Sequence, residues 1–128
     1  MSAADQALAD LTEISSQVEA AALFDARGQV AASTLPDAEP FVRAVQDLLA
    51  AAGEAGGRAV AQLEAATPAG SVFVVREGDE YIAATTHPEP TVALVFYDLK
   101  TALRAATAAK KPARRPRTKK PAEDGDAS

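Results

Sequence analysis

Apolar residues along this chain alternate between spacings of three or four and spacings of one or two, and each switch marks a new element. Leu8, Leu11, Ile14 and Val18 fall three, three and four apart, which predicts a helix over about 3–16 with these residues on one stripe. Ser2, followed three residues later by Asp5, supplies a cap for its first turn. An apolar run then reaches Phe24, meets Asp25-Ala26-Arg27-Gly28 and resumes at Gln29. Asp at the start and Gly at the end of that break suit a type I turn with Gly28 at positive φ, so the segment reads as a hairpin.

Asp37 is placed to cap a second helix with Pro40 in its first turn, and Phe41, Val45, Leu48, Leu49 and Ala52 carry its stripe. Gly56-Gly57 ends it, giving a span of about 38–55. Three strands follow at 58–66, 71–77 and 80–86, joined by links short enough to make them antiparallel neighbours. SVFVV is apolar on both faces and is expected in the middle of the sheet, whereas the milder RAVAQLEA reads as an edge. After His87-Pro88-Glu89-Pro90, Thr91 caps a third helix over about 92–108, with Val92, Val95, Phe96, Leu99 and Leu103 on one side. TVALVFY alone also fits a sixth strand, but the stripe continues to Leu103. The fold class is therefore α/β (alpha+beta): a five-stranded, mainly antiparallel sheet with helices on both faces, in the order α-β-β-α-β-β-β-α.

Composition divides the chain in two. Residues 1–109 carry 15 Asp and Glu against 6 Lys and Arg, a net of −9, and form one domain by size. Residues 110–128 carry 7 Lys and Arg against 3 acids and read as a disordered basic tail with an acidic end, because prolines and like charges oppose packing. Alanine supplies 32 of the 61 apolar residues, so the core is thin and the domain gains from a partner covering part of its surface. The absence of cysteine excludes disulfides and thiol chemistry. An acidic start and no apolar run near the ~20 residues of a membrane span point to the cytoplasm.

The segment AALFDARGQVAAS, the central helix with its strand pairs, and the closing PEPTVALVFYDLKTAL together resemble the roadblock/LC7 family over about residues 3–107. Where many bacterial relatives have a glycine early in the last helix, this chain has Ala93 or Leu94. The resemblance implies a homodimer that binds a Ras-like small GTPase. It also implies an interface through Phe41, Val42, Val45, Leu48 and Leu49 of the central helix and Val60, Gln62 and Glu64 of the adjacent edge strand.

Little in the chain suggests catalysis. His87, the one histidine, has no nucleophile or ligand set beside it in sequence, and the phosphate-cradling glycine motifs are missing. No enzyme activity, metal or cofactor is expected. Asp79, Glu80 and Asp98 read as surface charges, Arg27 and Arg76 as isolated basic positions, and Tyr97 with Phe41 as the aromatic residues best suited to an interface. In the tail, Lys110, Lys111, Arg114, Arg115, Arg117, Lys119 and Lys120 suit weak, salt-sensitive contact with nucleic acid or an anionic surface. A nucleic-acid-tethered or nucleoid-associated interaction protein is accordingly the alternative function.

Overall fold

The computed structural model describes residues 2–110. Helix α1 (Ala3–Ile14) starts on the expected capping box: Asp5 N donates to Ser2 Oγ at 3.1 Å, and Ser2 N donates to the Asp5 carboxylate at 3.2 Å. Strands β1 (Val18–Asp25) and β2 (Val30–Ser33) form the hairpin. The Asp25 carboxylate accepts from the amides of Arg27 and Gln29, and Gly28 turns the chain at φ +85.

Helix α2 (Glu39–Gly56) begins one residue later than the sequence suggests. Ala38 occupies the N-cap, and Asp37 instead accepts from Glu39 N at 3.3 Å, an Asx-type bond just outside the helix. Strand β3 (Gln62–Thr67) is shorter than predicted, because Gly57 caps α2 in the left-handed region and residues 58–61 carry the chain back to the sheet. β4 (Gly70–Glu77) and β5 (Glu80–Thr86) follow through two-residue turns, and α3 (Val92–Lys110) confirms helix over strand for TVALVFY.

All four pairings are antiparallel, and the strands lie in the order β2-β1-β5-β4-β3. The two halves of the chain thus join where β1 meets β5. β4 is an inner strand, as SVFVV suggests, but β5 is the centre, with Ile82, Ala83 and Ala84 fully buried. Alternation in β4 serves two cores: Phe73 and Val75 face α1 and α3, while Val74 faces α2. The first core gathers Leu8, Leu11, Leu23, Ile82, Val95, Leu99 and Leu103, with Phe96 edge-on to Phe73 at 5.0 Å. The second holds Phe24, Val42, Val45 and Ala83.

Two stripe residues are exposed to solvent. Ile14, the last residue of α1, is 72% exposed on the rim of a groove that it shares with Tyr97 and Thr101 of α3, and Val92 is exposed at the first turn of α3.

Candidate interaction surface

The two faces of the sheet are unequally covered. Five strands at about 4.8 Å spacing span roughly 24 Å, and helices are about 10–12 Å across, so two helices cover one face and one helix covers about half of the other. That single helix is α2. Only Val42 and Val45 of its large apolar residues are fully buried; Phe41, Leu48 and Leu49 are half-buried. Phe41 and Leu49 pack at the rim of the α2-side core with Leu63, Val72 and Tyr81.

Strand β3 closes the sheet on this side and pairs only with β4 among the described strands. Arg76 N also donates to Ala61 O at 2.9 Å, extending the paired edge by one residue before β3. The outer backbone of β3 is a row of donors and acceptors to which another strand can pair. Between this edge, α2 and the β1–β2 turn lies a cavity of about 250 Å³. Phe24 and Tyr81, stacked at 5.3 Å, line it together with Leu49, Val60, Gln46 and Arg76.

The residues expected at an interface fall into three groups. Val42 and Val45 belong to the protomer's own core, at 2% exposure each. Phe41, Leu48, Leu49 and Val60 are half-buried and keep accessible apolar surface, and Leu49 and Val60 line the cavity. Gln62 and Glu64 are exposed on β3, but register places them opposite Val75 and Phe73, on the α1/α3 side of the sheet. Leu63 instead shares the α2 side, although it was not among the expected residues. Its alternation with Gln62 and Glu64 is the signal that could have found it. Lys110 ends α3, and Lys111, Arg114, Arg115, Arg117, Lys119 and Lys120 lie outside the described residues.

The other candidate groups have local tasks. His87 Nδ1 lies 2.8 Å from Glu19 Oε2, both side chains being about half exposed, and this pair ties the loop after β5 to β1. Arg76 Nε donates to Gly78 O at 2.8 Å, and Arg104 pairs with Glu77 at 3.2 Å. Among the described residues no cluster of three His, Asp or Glu side chains is arranged to hold a metal ion, and no helix is long and apolar enough to cross a membrane. The arrangement supplies an open strand edge beside an apolar rim, which is docking geometry.

No protein-family model matches this chain, and no curated protein matches it in sequence. Solved structures do. A roadblock/LC7 domain from Streptomyces avermitilis superposes with a TM-score of 0.73 at 17% identity, covering 83% of this chain and 96% of that one. The gliding protein MglB from Thermus thermophilus gives 0.72 at 15% identity, over 87% and 90% of the two chains. An MglB described with a tetrameric arrangement gives 0.70 at 17% identity, over 84% and 88%. At such identities the match lies in the path of the backbone, and on that ground the chain has the roadblock/LC7 fold.

Proposed function

We propose that this protein is a non-enzymatic homodimeric adaptor that regulates a Ras-like small GTPase in the cytoplasm. The observation that carries the reading is the open β3 edge beside the half-covered α2 face. Pairing two copies there would join the sheets and cover Phe41, Leu48, Leu49, Val60 and Leu63, the apolar area that one helix leaves accessible. The GTPase comes from the resemblance to roadblock/LC7 regulators, an analogy at the level of fold. MglB's tetrameric arrangement supports self-association as a property of this architecture. In this reading residues 1–109 are the working domain and 110–128 a separate basic segment.

The test combines mass measurement in solution with capture. Immobilised full-length protein is exposed to source-cell lysate with a GTP analogue or GDP, and any retained Ras-like GTPase is purified and rebound. The expected result is a dimer that holds a GTPase in a nucleotide-dependent way. A monomer at high concentration, or a dimer that retains no GTPase in either nucleotide state, overturns the corresponding half of the proposal.

A further inference from the structure

On the face opposite the proposed dimer surface, α1 and α3 pack along a seam of small side chains. Ala7, Ala102 and Ala105 line a groove of about 320 Å³, together with two large exposed apolar residues, Ile14 and Tyr97. Tyr97 is 67% exposed. Two carboxylates border the same groove. Asp10 accepts one hydrogen bond, from Gln6 Nε2 at 2.9 Å, while half-buried Asp98 has no hydrogen-bond or ion-pair partner among the described residues. A groove with an aromatic wall and acidic flanks is matched by an extended segment that alternates proline with arginine or lysine. Proline fits the aromatic face in a preformed extended helix, and the guanidinium group pairs with carboxylates and stacks on rings.

This chain contains such a segment directly beyond α3: KPARRPRTKKP, residues 111–121. Reach is adequate. Tyr97 and Asp98 lie 12–13 residues before the end of α3, about 20 Å back along the helix. An extended proline-type chain rises about 3.1 Å per residue, so a segment reversing after Lys110 brings residues 114–120 alongside that site. Charge favours the return as well, since residues 1–109 carry a net of −9 and the tail a net of +4. We propose that residues 111–121 lie back along the α1–α3 groove of the same chain, with their arginines against Asp98 and Asp10 and their prolines against Tyr97 and Ile14. The proposal does not depend on the dimer or on the GTPase.

The chain has no cysteine, so Thr118→Cys gives a single site for a nitroxide spin label on the full-length protein. With the label in place, amide signals around Ile14, Tyr97, Asp98 and Thr101 should broaden at low salt. They should recover in about 1 M salt, where the screening length is near 3 Å. They should also recover in Asp98→Asn and in an Arg114→Gln/Arg115→Gln/Arg117→Gln chain, whose changes leave the folded body untouched. Broadening spread evenly over the body, or centred on the β4–β5 turn at Asp79, overturns the assignment. Broadening that also arises between labelled and isotope-enriched copies in a mixture overturns the same-chain arrangement. A tail that leaves the groove signals sharp yet binds duplex DNA overturns the docking in favour of a nucleic-acid contact.

Discussion

A β-carbon added to Gly70 would lie 2.2 Å from the backbone carbonyl oxygen of Thr86, so this corner of the sheet closes only because position 70 has no side chain. Gly70 also adopts φ +151, a conformation that residues with side chains rarely take. Thr86 cannot move aside easily: it is paired with Ser71 on one side and Val18 on the other, and is 1% exposed. Gly70→Ala should therefore destabilise the domain by about 2 kcal/mol or more, measured as a lower denaturant midpoint. A midpoint equal to that of the parent chain would show that the β4 start is free to shift.

Gly28 presents a softer version of the same constraint. Its φ is +85, and an added β-carbon would lie 2.8 Å from the Gln46 side-chain amide. That side chain can swing away, whereas the backbone strain remains. Gly28→Ala should cost about 1 kcal/mol, and Gln46→Ala in the same chain should recover only part of it. Full recovery in a double-mutant cycle would put the whole cost on the side-chain contact.

The first turn of α1 has a defined pH response. The Ser2 hydroxyl, and then the Ser2 backbone amide, hold the Asp5 carboxyl below its ordinary value of 3.8. The charged form is thus favoured in the folded state. Its stabilising contribution is complete above the unfolded value and is lost as pH falls through the lower folded value. Protection of the α1 amides, taken relative to the intrinsic exchange rate at each pH, should fall on acidification below 3.8. Ser2→Ala should weaken the helix by about 1 kcal/mol at neutral pH, the usual worth of an N-cap hydroxyl, and flatten the acid response.

Neighbouring turns of α2 should separate folding from association. Val45 is 2% exposed in the protomer core, so Val45→Ala should lower stability by about 2 kcal/mol. Leu48 is half-buried and belongs to neither core cluster. Leu48→Glu should leave the unfolding free energy of the monomer within about 0.5 kcal/mol of the parent while reducing dimer formation in sedimentation equilibrium. Unchanged dimerisation would exclude this helix face as the contact.

The elements were legible in the sequence because their signals are local. Ser2 and Asp5 lie within one turn, Asp25 and Gly28 within one hairpin, and Val95, Leu99 and Leu103 on one stripe; each forms as the spacing requires. Even the edge position of β3 could be read from its mild alternation beside the fully apolar β4. Spacing could not say where each stripe would find cover. Leu11 and Ile14 occupy the same stripe, yet one is 3% exposed and the other 72%, a difference that helical spacing alone does not encode. The alanine-rich β5 becomes the centre of the sheet only when β1, from the other half of the chain, pairs with it. Likewise Gln62 and Glu64 separate from Leu63 through register with Phe73, Val74 and Val75. Sequence alone therefore determined the elements, their order and the charge division between body and tail. Tertiary structure decided which strands met, which apolar faces were covered and which stayed accessible, because strand pairing and layer contact join residues far apart in the chain, beyond the reach of any local pattern.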